Sequence, residues 1–218
     1  MTKHATTHGY SVSSRLINAI EYGAAQDRER IIMLGLNAEL SKRMGYTPGQ
    51  VVSVDEFPWS IGRTHDRKLL DIVEWPSTSP FGEASKKPRT VPNELTVAHW
   101  FDRNGVEKHP NAKHVFTPRA GLAKFETVAE GDDSRKSYKR LHRWRYSPTA
   151  CYGNNEVHLH PYRARRLTVA EALAIQSLPP EFVLPDSMSL SAMFKTVGNG
   201  VPYVAGVGLA AMIRRCVG

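Results

Sequence analysis

Apolar positions change their period twice along the chain. Leu16, Ile17 and Ile20 fall at helical spacing behind Ser13 or Ser14, either of which can cap, and Gly23 follows as a stop, so a short helix is predicted. AAQDRER (24–30) then leads into IIMLGL (31–36), an unbroken apolar run that predicts a strand buried on both faces. From about 38 to 160 the periodicity weakens, and most of the 14 prolines gather there with polar turns such as TPGQ, PSTSPFG and RNGVEKHPN. Short helices are predicted at 66–74 (DRKLLDIVE) and 93–101 (NELTVAHWF), with short strands and loops elsewhere. Trp59, Trp75, Trp100 and Trp144 all lie in this region and need burial or a partner, so loop-rich does not mean disordered. Helical signals return with Thr168 and Glu171, a capping box, followed by Ala172, Leu173 and Ile175 and stopped by Pro179 and Pro180. A last helix is predicted after Gly198-Asn199-Gly200, with Pro202 near its first turn and Arg214 and Arg215 suiting its C-terminal dipole.

Length and composition narrow the classes. A chain of 218 residues with 41% hydrophobic and 23% charged residues is globular, not a disordered tail or a fibrous repeat. The apolar stretch 201–213 falls short of the roughly 18–20 residues of a membrane span, so no membrane partner is expected. MTKHATTHGYSV has no apolar core of a secretory signal, and two cysteines make no disulfide framework, so cytoplasm is the default compartment. The net charge of +8 favours a polyanionic partner, nucleic acid first.

Charge distribution sharpens that expectation. SRKSYKRLHRWRY (134–146) holds Lys139, Arg140, Arg143 and Arg145 among its cations, with no acid and with Tyr138, Trp144 and Tyr146 interleaved. Unopposed cations repel one another and gain from phosphates or guanine edges, which favours nucleic acid over a solvated strand face. Alternation would put Arg143 and Arg145 on one face and send Trp144 to the core. Gln26, Arg28 and Arg30 share one face if extended, and such a row suits a phosphate or a planar base; taken alone, an exposed strand entry paired with Asp27 and Glu29 is the better account. Gly198-Asn199-Gly200 at a helix start offers N–H groups to an anion, although a simple turn accounts for it. Cys151 and Cys216 read as structural, and His158 and His160 as alternation on a strand without zinc-type partners.

Order adds what single motifs lack. GAAQDRERIIMLGL (23–36) resembles motif VIII of the DNA cytosine-5 methyltransferases, with Ala25 at the usual proline. RRLTVAEALAIQSLPPEF (165–182) resembles motif IX, and FKTVGNGVPYVAGVGLA (194–210) resembles motif X. KSYKRLHRWRYSPTACYGNN (136–155) resembles the end of the target-recognition region, with Thr149 in its Ser-Pro-Thr context. The resemblance implies an α/β fold: a partial Rossmann-like methyltransferase sheet from both chain ends, with an inserted recognition domain of mixed short strands and loops. Residues 1–40 and 161–218 would belong to the catalytic domain and 41–160 to the variable region. It also implies that Gln26, Arg28 and Arg30 handle a flipped cytosine, that Gly198, Asn199, Gly200 and Val201 close part of an S-adenosylmethionine pocket, and that Lys139, Arg140, Arg143, Arg145 and Thr149 meet double-stranded DNA.

The departures from the family pattern matter as much. The chain has no FxGxG cofactor loop, no Pro-Cys nucleophile and no ENV motif; Asn155-Glu156-Val157 is a chance near-anagram. The family activates cytosine by thiolate attack at C6, so this chain alone is expected to be inactive. The expectation is the C-terminal part of a cytosine-5 methyltransferase, of the kind found in restriction–modification, which needs a complementary N-terminal subunit. Met1 just ahead of motif VIII suits a split enzyme or a truncated gene. A non-catalytic DNA-binding descendant and an inactive remnant stay open.

Overall fold

A computed structural model of the chain describes residues 1–118, 122–135, 137–149, 152 and 156–218. A short helix, α1 (Thr2–Thr7), precedes two antiparallel strands, β1 (Ser11–Asn18) and β2 (Glu29–Leu36), in register from Ser11 opposite Leu36 to Asn18 opposite Glu29. The segment predicted as a helix behind Ser13 or Ser14 is therefore a strand. Ser11, Ser13 and Ser14 are poor helix formers, and pairing with β2 buries Ile17. Ile20 belongs instead to a 3₁₀ turn, Ala19–Tyr22, capped by Asn18, whose side chain accepts from Ile20 N while Glu21 reaches back to Asn18 N. Gly23 does stop that turn, in the left-handed region at φ +92°.

β2 is not buried on both faces. One face of the hairpin, with Ile17, Ile32, Leu34 and Leu36, packs inward; on the other, Leu16 and Ile31 sit directly opposite each other, 55% and 76% exposed. The C-terminal part adds no strand to this sheet. Its contribution is helical, so the sheet among the described residues has two strands and comes from the N-terminal end.

The middle of the chain carries α2 (Ala38–Arg43), α3 (Arg67–Asp71), α4 (Val97–Arg103) and α5 (Leu122–Thr127). The helices expected near 66–74 and 93–101 are there, each capped by a side chain, Asp66 and Thr96. The expected mixed strands reduce to single bridges, such as Ser79 with Glu130 and Leu159 with Arg140 and Arg166. Trp59 and Trp100 are buried, whereas Trp75 and Trp144 are half-buried with their indole N–H groups donating to the carbonyls of Leu70 and Ser85.

Three C-terminal helices complete the fold: α6 (Val169–Ile175), α7 (Leu190–Asn199) and α8 (Tyr203–Val217). The Thr168–Glu171 capping box forms as expected, and Arg165 grips the Glu171 carboxylate with both Nη atoms. The largest core cluster joins α4, α6 and α7 to Ala25, Leu141 and Val157, so it draws on every part of the chain. Residues Leu190–Val217 have the length of a membrane span, 28 residues, with a mean hydropathy of 1.3 over their most apolar 18, but they are two helices of 10 and 15 residues. A 15-residue helix reaches about 22 Å, short of a hydrocarbon core of about 30 Å.

α8 crosses the 3₁₀ turn at a glycine contact. A Cβ on Gly208 would collide with the Tyr22 ring and stand 2.7 Å from Gly62 O, whereas one on Gly206 would meet nothing within 4 Å. Gly206→Ala should therefore stabilise the protein by about 1 kcal/mol through helix propensity. Gly208→Ala should destabilise it by about 1–3 kcal/mol through overpacking. Chemical denaturation of both variants checks this, and the same sign for the two would contradict the crossing.

Candidate functional site

Three stretches far apart in sequence meet beside the loop that joins the strands. Gln26 bridges Ser147 in parallel: Asp27 N donates to Ser147 O at 2.9 Å, and Ser147 N donates to Ala25 O at 2.8 Å. Thr149, exposed, donates its hydroxyl to Asp27 O at 2.6 Å. Arg28 sends Nη2 across to the Gly198 carbonyl at 2.5 Å. Asn18 fixes the loop from behind, accepting from Arg28 N at 3.1 Å and donating to Asp27 Oδ1 at 2.5 Å. Asn18 was missed from the sequence because its stretch reads as mid-helix; an Asn ahead of Glu21 at capping-box spacing is the signal that reveals it.

The row Gln26, Arg28, Arg30 runs from the interior outward. Gln26 and Arg28 are fully enclosed, while Arg30 is half-exposed with Nη1 on its neighbour's carbonyl, Glu29 O, at 2.6 Å. Only Arg30 of the three can meet a ligand from solvent without rearrangement. Both amide atoms of Gln26, the Tyr152 hydroxyl and His158 Nδ1 are buried without a hydrogen-bond partner among the described residues. Burial pushes the Tyr152 hydroxyl well above its usual range.

Gly198-Asn199-Gly200 does not begin a helix. Gly198 and Asn199 end α7, Gly200 caps it, and α8 starts only after Pro202. Nor are the first N–H groups of α8 open to an anion: Tyr203 N donates to Gln176 O at 2.9 Å and Val204 N to Ser177 Oγ at 3.1 Å. The turn at Gln176 and Ser177 thus caps α8. Gly200 and Val201 instead line an apolar cavity of about 180 Å³ with Leu173, Gln176, Phe182 and Thr196. Gln176 donates Nε2 to Val197 O at 2.9 Å, and its Oε1 is buried without a partner among the described residues.

The basic stretch is less open than its sequence suggests. Arg140 is fully buried, with Nε on Val128 O at 2.8 Å, Nη1 on His160 O and Arg163 O, Nη2 on Phe125 O, and Phe81 over its face at 4.3 Å. It clamps main chain and cannot reach a base edge; desolvation pulls its pKa down to about 10. Arg143 is not unopposed either. Glu130, outside the stretch, holds it through both carboxylate oxygens at 2.7 to 3.1 Å, and this bond raises the guanidinium's pKa. Residues 143–145 lie in a turn, so strand alternation does not apply, and Trp144 sits half-buried with Lys87 6.0 Å from its ring. Lys139 and Arg145 stay half-exposed, Arg145 only 3.5 Å from Gly131 O. Lys86 and Arg89, exposed beside that tryptophan's strap, were passed over because prolines made the stretch read as a mere turn. Lys136, Cys151, Asn155 and the glycine turn at 153 lie outside the described residues.

Two buried histidines back this surface. His160 stands 3.4 Å from Glu171, yet desolvation, reinforced by Arg165, Arg163, Arg140 and Arg143, holds its pKa down at about 2. We take the ring as neutral, because Arg165 already grips the carboxylate. Desolvation, with Lys139 nearby, holds His158 at about 4, and Cys216 is a buried thiol pushed up by burial, unlike an activated nucleophile.

Comparison with known proteins accords with this geometry. The model of the family described as C-5 cytosine-specific DNA methylase matches residues 1–214. The chain is 52% identical over 214 residues to the type II methyltransferase M.NmeDI of Neisseria meningitidis serogroup C, covering 98% of this chain and 48% of that one. It is 25% identical to M.FnuDI of Fusobacterium nucleatum, covering 89% and 52%. The chain thus spans about half the length of these relatives. In structure it is similar to a putative DNA modification methyltransferase encoded within an Escherichia coli prophage, at TM-score 0.58 and 15% identity over 97% of this chain and 62% of that one, a likeness of fold.

Two outcomes follow. Arg140→Met should cost about 3 kcal/mol or more of stability by leaving several buried carbonyls unpaired, while Arg145→Ala should cost less than about 1 kcal/mol. Denaturant melts check this, and equal small losses would put Arg140 at the surface. Unfolded histidine titrates near 6.5, above both buried rings, so their stability is full above that pH and is lost as pH falls toward about 4 and below. Unfolding free energy should drop by about 3 kcal/mol between pH 7 and pH 5, and a flat profile would contradict neutral burial.

Proposed function

Because the chain belongs to the C-5 cytosine-specific DNA methylase family, we propose that it forms the C-terminal part of a DNA cytosine-5 methyltransferase. It supplies DNA recognition and one side of the base and cofactor pockets, and a complementary N-terminal half supplies the cysteine nucleophile. The observation that carries this reading is the crossing at Asp27 and Arg28, where the motif-VIII loop, Ser147 to Thr149 and Gly198 are hydrogen-bonded together. These are the base-handling, recognition and cofactor-side segments of the family.

Each residue then has a task set by its exposure. Arg30, at the open end of the row, contacts the flipped cytosine and stabilises charge as its ring is attacked. Arg28 and Gln26, both enclosed, act as positioning residues: Arg28 ties the base-side loop to the end of α7. Thr149 faces outward beside them, where a recognition loop meets the target base, and Lys139 and Arg145 meet the duplex. With Arg140 and Arg143 tied to protein, any base reading in this stretch falls to Arg145, while Lys139 serves phosphate. The residues of motif X fit S-adenosylmethionine as one wall of its pocket: Gly200 and Val201 border an apolar cavity that Gln176 also lines, and Gln176 keeps a buried Oε1 without a partner among the described residues. S-adenosylmethionine, when bound, supplies the methyl group as an electrophile. Asn199, exposed at the same connection, borders the cofactor side. Double-stranded DNA as substrate suits a cytoplasmic place of action.

The test is methyl incorporation into duplex DNA. This chain alone should transfer none, and adding the complementary half should restore transfer; activity of the chain alone would overturn the reading. In the restored enzyme, Arg30→Ala should lower kcat by about tenfold or more while changing DNA affinity little, as losing one charge-assisted hydrogen bond costs about 1.5–3 kcal/mol. Equal losses in both would assign Arg30 to a phosphate.

A further inference from the structure

The turn after α6 holds a serine where its backbone suits glycine. Ser177 has φ +55°, in the left-handed region, and is buried. Ser177 N donates to Ala174 O at 2.8 Å and Leu178 N to Leu173 O at 3.2 Å, the paired bonds that end a helix through a left-handed residue. Glycine is the usual occupant there, because a side chain in this conformation crowds its own main chain. The Ser177 hydroxyl makes two bonds: it donates to Gln176 O at 2.7 Å and accepts from Val204 N at 3.1 Å. α8 needs that acceptor. Its N-cap is Pro202, which has no side-chain oxygen and makes no cap bond. The cap comes instead from a residue 27 positions before Val204. The same dipeptide holds the rest of the connection between α7 and α8. Gln176 O accepts from Tyr203 N at 2.9 Å, and Gln176 Nε2 donates to Val197 O at 2.9 Å, which also accepts from Gly200 N at 3.2 Å. Gln176 and Ser177 therefore grip both ends of residues 198–202. Within that connection Gly200 and Val201 line the cavity of about 180 Å³.

We infer that Ser177 is a positioning residue for the cofactor: its hydroxyl seats Val204 at the start of α8 and so sets where Gly200 and Val201 stand. This rests on the proposed function, which places S-adenosylmethionine against those two residues. Ending α6 does not require the hydroxyl, since glycine does that with no strain. A side chain kept in a left-handed backbone therefore answers a second demand, and the bond to Val204 N is the one the structure shows. That bond can be removed by a substitution that leaves the turn its preferred backbone.

The test compares Ser177→Gly with Ser177→Ala, first in the full chain and then in the enzyme restored by co-expression with the part of M.NmeDI that this chain does not match. In the full chain, amide hydrogen exchange of Ser177→Gly should be about tenfold faster at Val204, while Tyr203, held by a main-chain carbonyl, should change less than about twofold. Ser177→Ala keeps the strained φ and should melt about 2–4 °C below Ser177→Gly. In the restored enzyme both variants should raise KM for S-adenosylmethionine by about fivefold or more, with kcat and duplex affinity changed less than about twofold. A KM raised alike in two variants of unequal stability separates positioning from folding. Unchanged exchange at Val204 in Ser177→Gly would overturn the inference and leave the proposed function standing. So would a parental KM in Ser177→Gly, whether or not Ser177→Ala raises it, since Ser177 would then serve folding alone. A fall in duplex affinity with KM unchanged would assign the turn to the DNA side and overturn it too. Absence of methyl transfer by the unaltered pair would overturn the proposed function and this inference together.

Discussion

A main-chain group removed from water must find a partner, and this fold meets that demand at one crossing. The loop between β1 and β2 closes its first half on itself through the 3₁₀ turn, and beyond that turn Ala25 and Asp27 bond to Ser147 from the far side of the variable region. Arg28, enclosed there, reaches the Gly198 carbonyl that α7 leaves open at its end. The same logic recurs nearby, where the turn at Gln176 and Ser177 caps α8 and Arg140 gathers carbonyls from two segments. The loop after β1, the turn after α6 and the end of α7 are thus joined through backbone polarity more than through side-chain chemistry. Arg30, Thr149 and the rim near Asn199 face outward.

Local signals were legible where a side chain completes a local bond. The Thr168–Glu171 box, the caps at Asp66 and Thr96 and the stop at Gly23 could all be read along the sequence. α7 also carried a signal, Ser189 ahead of Leu190, Met193, Phe194 and Val197 at helical spacing, which the glycines after it obscured. β1 was illegible because Leu16, Ile17 and Ile20 fit helical spacing, and only the partner strand decides otherwise. At the site, the family order located the segments, but burial reassigned their residues. A run of cations looks unopposed when its acid, Glu130, comes from outside the window, and no periodicity announces that Arg140 is enclosed.

The hairpin carries more apolar surface than it buries. β2 is apolar on both faces, yet one face and one edge are open, with Ile31 76% exposed. An isolated two-stranded sheet is marginal in water, and here α8 supports it through Met212 and Cys216 on its inner side. The pattern is that of a wider sheet, in keeping with a chain that spans about half the length of its relatives.

Under the proposed function labour is divided: this chain shapes and reads, and a complementary half attacks. The most direct measurement traps that attack with duplex DNA carrying 5-fluorocytosine at the target base, in the presence of S-adenosylmethionine, followed by mass spectrometry of both halves. The account predicts a DNA adduct on a cysteine of the complementary half, formed only when this chain is present, with Cys151 and Cys216 unmodified. An adduct on either of those cysteines, or one formed without this chain, would contradict it.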